Sequence, residues 1–143
     1  MISPEQIVEK ARGMIGTPFR HQARVPGERG GLDCVGLTVC IGWQLGLRIE
    51  DRTDYARETD GEVLRNALEQ HCDLVDEMRL GDIVQFLRGR SMWHVGVVSR
   101  IGSRPMMIHA KSQAGGGGEV REDHIDAAWM RRLAGVWRYR SAA

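Results

Sequence analysis

The chain has 143 residues, enough for one domain, and chains near this size bury roughly 68–70% of their unfolded surface without disulfides or metal. Its 20 basic and 19 acidic residues leave a net charge of +1, which excludes nucleic acid as a bulk electrostatic partner, and no apolar run approaches the ~18 residues of a membrane span. Three cysteines (Cys34, Cys40, Cys72) without Cys-x-x-Cys spacing exclude a disulfide framework, and Met1–Gln6 lacks the basic and apolar regions of a signal peptide, so synthesis in the cytoplasm is expected.

Ser3-Pro4-Glu5-Gln6 predicts a helix start: Ser3 caps, Pro4 suits the first turn, and Gln6 closes a capping box. Ile7, Ala11, Met14 and Ile15 then share one face, and Gly16-Thr17-Pro18 ends the helix. Residues 19–32, with Pro26, Gly27, Gly30 and Gly31, read as a loop. A second helix is predicted from Cys34 to Leu45, with Leu37, Cys40, Ile41 and Leu45 on a broad apolar face. After a polar stretch over 48–60, Thr59-Asp60-Gly61-Glu62 predicts the cap of a third helix carrying Val63, Leu64, Ala67 and Leu68. Strands are predicted over 83–86, 94–98 and 105–109, the last two joined by a turn over 101–104. Gly115–Gly118 reads as a flexible turn before a strand over 119–121. A short helix over 126–132 and a strand over 134–139 complete the chain. Helices first and antiparallel strands after is an α+β order.

The chemistry centres on Asp33-Cys34-Val35-Gly36-Leu37. A thiol at a helix N-terminus gains from the helix dipole, and a nearby cationic histidine lowers its pKa further, from about 8.5 toward roughly 3.5–7.5. The Cys34 amide, unpaired by the helix, is a candidate oxyanion donor, and Asp33 a candidate helix cap. The competing reading of Cys34 is a small buried hydrophobe. His94 opens a β-branched run and can serve as base. A turn over 101–104 would bring His109 beside it, in the orienting role of a triad. Zinc held by Cys34, His94 and His109 is the rival arrangement, but the close ligand spacing of zinc motifs is missing. Gly115–Gly118 lacks the Lys-Ser/Thr of a phosphate loop. His21, His71 and His124 are placed in loops or exposed stretches.

With those residues in view, the chain resembles the NlpC/P60 cysteine peptidases, in particular their phage-type branch of phage tails and gene transfer agents. Gly16–Gln22 resembles the segment before the nucleophile, and Asp33–Leu37 the family's Asp-Cys-Ser/Leu-Gly-Leu motif. Gly81–Phe86, His94–Val98 and Ile108–Ala110 are similar to the strand before the base, the base strand and the third-residue strand. Trp129–Arg138, ending Gly135-Val136-Trp137-Arg138, resembles the phage-type C-terminus.

The resemblance implies a papain-like α+β fold, with the nucleophile helix packed on an antiparallel sheet. It implies Cys34 as nucleophile, His94 as base, His109 as orienting residue, and no metal or cofactor. Asp33 and His21 are the implied substrate-binding residues; Phe19 and His21 stand where many members carry tyrosines. The implied substrate is the stem peptide of peptidoglycan, cut next to D-γ-glutamyl or diaminopimelate residues, and the implied partners are tail-tip or hub proteins. Two other readings stay open: a hub protein that keeps the fold and only binds, and a thiol acyltransferase using the same residues. Arg131-Arg132 and Arg138–Arg140 are candidates for a binding surface, or a solvated face.

Overall fold

In the computed structural model, which describes residues 1–51, 61–88 and 92–141, the first helix starts where its capping box lies. Helix α1 (Pro4–Arg12) has Ser3 accepting from the Gln6 amide while the Gln6 side chain accepts from the Ser3 amide. It stops three residues short of Ile15, because residues 13–16 turn to send the Gly16 amide onto the Val120 carbonyl. The stretch over 19–32 is more than a loop. It holds a two-residue antiparallel pair, β1 (Arg24–Val25) with β2 (Gly31–Leu32), which delivers the chain to Asp33.

Helix α2 (Cys34–Gln44) starts at the residue the sequence suggests, but it has no polar face in its first two turns: residues 35 to 42 are all buried. A helix apolar all round must be enclosed. Here α1, β1 and the main sheet surround it. Helix α3 (Gly61–Glu69) follows; its expected Thr59-Asp60 cap lies outside the described residues.

The main sheet is built from β3 (Cys72–Val75), β4 (Ile83–Arg88), β5 (Met92–Arg100), β6 (Met106–Ser112), β7 (Gly118–His124) and β8 (Leu133–Tyr139), with the four-residue helix α4 (Ala127–Met130) between the last two. Among the described residues its order is β3-β8-β4-β5-β6-β7, each neighbour antiparallel. The C-terminal strand thus enters the sheet's interior between β3 and β4. Tyr139 at its end reaches over to α2, its hydroxyl donating to the Thr38 carbonyl at 2.7 Å. Side chains alternate across the pleat. One face (Ile83, Val95, Val97, Ile108, Ala110, Val120, Trp137, Tyr139) packs with the three long helices. The opposite face (Val84, Phe86, Val98, Met107, Val136) packs with Ile125 and Trp129. Mixed helices and an antiparallel sheet in this arrangement give the expected papain-like α+β fold.

Two readings are settled by tertiary contacts. Of the binding surface and the solvated face open to the 138–140 arginines, Arg140 is exposed, and both arginines are held in ion pairs. Arg138 grips Asp82 with two bonds of 2.8 Å, and Arg140 pairs with Asp73 and donates to carbonyls of residues 69, 70 and 72. His71 is buried rather than exposed, with its ring 5.7 Å from that of Tyr139 and neither nitrogen hydrogen-bonded among the described residues.

Burial, aided by the Arg140 charge, pushes the His71 pKa down from 6.5 to about 4. Between those values the unfolded chain holds the proton and the folded chain does not, so stability falls as pH drops through that window. The expected loss from pH 7 to pH 4 is on the order of 3 kcal/mol. Urea denaturation of a His71→Phe variant should show most of that acid-side slope gone; an unchanged slope would refute the assignment.

Candidate active site

Helix α2 is fixed at its start by one carboxylate. Asp33 Oδ1 accepts from the Gly36 amide at 2.7 Å and from Arg24 Nη1 at 3.0 Å, and Oδ2 accepts from the Gln22 amide at 2.8 Å. Arg24 continues the network with two bonds to Asp51, at 2.6 and 3.1 Å. Gly36 belongs to this arrangement. A Cβ there would stand 2.4 Å from the Ala23 carbonyl oxygen and 2.9 Å from Arg24 Nη1. That close approach is the physical content of the glycine in Asp-Cys-Val-Gly. Asp33 is therefore bound into the protein on both oxygens. His21 is half-buried in the turn just before Gln22, so it stands near the same helix start.

Cys34 is the first residue of α2, half-buried against the helix-side core. Its sulfur receives backbone hydrogen bonds at Val95, Val35 and Cys34 itself. Val95 follows His94 on β5, so the thiol lies one residue from the expected base. The β5–β6 ladder runs from Arg100↔Met106 to Val97↔Ile108, short of His94. The sulfur thus meets the strand where its pairing with β6 has stopped.

His94 and His109 lie within their strands rather than at the ends. The 101–104 turn brings them together, with His94 Nε2 2.7 Å from His109 Nδ1. Both are buried, His109 completely. Gly96 makes room for them: a Cβ there would meet His109 Cβ at 3.3 Å and Met107 Sδ at 2.8 Å. Trp129 of α4 covers the pair, stacked on His94 at 5.4 Å between centroids and edge-on to His109 at 5.8 Å. One partner is not anticipated by the sequence reading: Asp123 Oδ2 lies 2.7 Å from His109 Nε2 and accepts from Arg121 Nε at 2.9 Å. Its place in an Arg-Glu-Asp run looks like solvent-facing charge. Only the pairing of β7 on β6 puts it beside His109. His109 has both nitrogens committed, which speaks against its joining Cys34 and His94 as a zinc ligand.

The electrostatics of the thiol depart from expectation. A helix terminus should favour the thiolate, yet burial pushes the Cys34 pKa from 9.0 up to about 12, with the Asp33 charge acting in the same direction. The three backbone hydrogen bonds oppose this and do not win. Burial therefore favours the neutral thiol, and a base must take its proton during attack rather than before it.

The NlpC/P60 family model matches residues 16–138. The chain belongs to the NlpC/P60 family. The match runs from the 16–33 segment into β8. Among solved structures, this NlpC/P60 chain is similar to the NlpC/p60 domain of the peptidoglycan hydrolase SagA. The two share 22% identity with a TM-score of 0.59, covering 94% of this chain and 97% of that one. It is also similar to an NlpC/P60 family protein from Bacillus cereus ATCC 10987, at 20% identity and a TM-score of 0.62, covering 95% of this chain and 40% of that one. These likenesses establish the shared fold. No match was found among curated protein sequences.

Two measurements test the site's construction. Gly36→Ala should lower stability by about 1–3 kcal/mol through overpacking, read as a shifted denaturant midpoint; an unchanged midpoint would contradict the close approach. Alkylation of Cys34 by iodoacetamide, followed by peptide mapping, should be slow near neutrality and accelerate steadily above pH 8. A plateau over pH 5–8 would show a standing thiolate instead.

Proposed function

We propose that this protein is a cysteine peptidase that hydrolyses peptide bonds of the peptidoglycan stem peptide, carried at the tip of a phage-like tail. The observation that carries the peptidase reading is the placement of the Cys34 thiol on the Val95 amide, one residue from a histidine bonded to a second buried histidine. Family membership supports it, as does the description of a similar domain as part of a peptidoglycan hydrolase. The tail-tip setting, and with it tail or hub proteins as partners, rests on the likeness of residues 129–138 to the phage-type C-terminus. In that setting the protein is made in the cytoplasm and acts on the cell wall after delivery.

The reaction follows from the site. His94 takes the Cys34 S–H proton as sulfur attacks the scissile carbonyl carbon. The oxyanion is held by the Cys34 amide at the start of α2, which no helical carbonyl pairs; the Gly36 amide is already taken by Asp33. His94 then gives the proton to the departing amine, the C–N bond breaks, and an acyl thioester remains. Water, deprotonated by the same imidazole, releases the acid and restores the thiol. Bonds next to D-γ-glutamyl or diaminopimelate residues are the proposed targets, with half-buried His21 beside the approach; Asp33, buried and bonded on both oxygens, positions the helix instead of touching substrate.

The thiol's high pKa favours one alternative, a hub component that keeps the fold and binds without turnover. Mass spectrometry of defined muropeptides separates the two. Wild-type protein should release cleaved stem peptides, and Cys34→Ala, folded by circular dichroism, should release none. Equal cleavage by both proteins would overturn the mechanism, and no cleavage by either would favour the hub. Products joined to an added acceptor amine would indicate acyl transfer.

A further inference from the structure

We propose that Asp123 is a positioning residue of this site: acting through His109, it holds His94 with its proton on Nε2 and its lone pair on Nδ1. The inference deepens the peptidase reading, though its central measurement needs no turnover.

Asp123 is half-buried on β7 and bonded by Arg121 Nε at 2.9 Å. An ionised carboxylate only accepts hydrogen bonds. His109 Nε2, 2.7 Å from Asp123 Oδ2, must therefore carry a hydrogen and donate it. His109 is fully buried, and burial holds its pKa below the ordinary value despite Asp123, with Lys111 and Arg121 adding to the lowering. Its ring is therefore neutral, and with Nε2 protonated its Nδ1 holds a lone pair. That lone pair faces His94 Nε2 at 2.7 Å, so His94 Nε2 must be the donor. A neutral His94 then has its proton on Nε2, and Nδ1 is left as the basic nitrogen. Each hydrogen bond decides the next, and only the Asp123 end has no choice of role.

The same order suits proton transfer. When His94 Nδ1 takes the thiol proton, the Nε2–H stays in place and still donates to His109. No other proton has to move. The charge gained by His94 is backed by a neutral acceptor whose far side rests on a carboxylate. Were Asp123 absent, His109 would be free to place its hydrogen on Nδ1. Two N–H groups would then face each other unless His94 moved its own proton to Nδ1, the nitrogen that must take up the thiol proton. Fixing a tautomer through the second ring nitrogen is an established role for outer partners of functional histidines.

The test reads the tautomers directly, by long-range proton–nitrogen NMR of the full chain labelled on histidine. In wild-type protein His94 and His109 should both show hydrogen on Nε2. In Asp123→Ala, His109 should become a mixture and His94 should gain the Nδ1–H form. Asp123→Asn, which can still accept from His109 without the charge, should retain the wild-type tautomers and serves as the folded control if alanine unfolds. Hydrogen on His94 Nδ1 in the wild type, or wild-type tautomers in a folded Asp123→Ala protein, would overturn the proposal. On muropeptides, kcat of Asp123→Ala should fall roughly 10–100-fold with KM little changed. Its acid limb should move to lower pH, because a lost carboxylate disfavours the imidazolium. Loss of kcat with an unmoved pH profile would also count against it. If wild-type protein cleaves no stem peptide, the peptidase reading fails while the tautomer result still decides this one.

Discussion

The carboxylate of Asp33 is the constraint on which the rest of this structure depends. It sits where α2 begins, at amides without helical partners and at the positive end of the dipole. It ties together three parts of the chain: the Gly36 amide of the first turn, the Gln22 amide of the preceding segment, and Arg24 of β1, itself fastened to Asp51. The orientation of α2 fixes where its first side chain points. The same charge works against the thiolate it positions, and burial reinforces the effect. An ordered sulfur and an ionised sulfur are therefore opposed demands here, and the fold satisfies the first.

The sheet divides the remaining work between its faces. The helix side holds the sulfur and most of the apolar core. The opposite side holds the two imidazoles beneath Trp129. An unbroken β5–β6 ladder would separate them by a layer of paired backbone. The ladder stops at Val97↔Ile108, and the thiol uses the Val95 amide just beyond that point. The gap in backbone pairing is thus what allows chemistry contributed by two faces to share one strand.

Much of this was legible in the sequence, where the signals are local. The Ser3–Gln6 box, the start of α2 at Cys34 and the strands around His94 and His109 follow from spacing and side-chain type over a few residues. Register then did the rest, because a turn over 101–104 leaves two histidines fifteen residues apart beside one another. What was not legible depends on neighbours distant in the chain. Strand β3, reading Cys-Asp-Leu-Val, lacks clear alternation and exists because β8 pairs with it. His71 looks like a loop histidine until Tyr139 covers it. Asp123 looks like surface charge until β7 lies on β6. The thiol's pKa could not be read at all, since burial outweighs the helix-terminus effect that the sequence makes visible.

Trp129 carries a consequence of a different kind. Its indole stacks on the His94 ring at 5.4 Å, with 29° between the planes. While His94 is neutral this is an ordinary aromatic contact. Once the ring is protonated it becomes a cation held against the most electron-rich face available to a protein, in a largely desolvated place, where such pairs gain about 0.5–2 kcal/mol. The four-residue helix that looks like a mere link between β7 and β8 thus helps the buried site accommodate a positive charge.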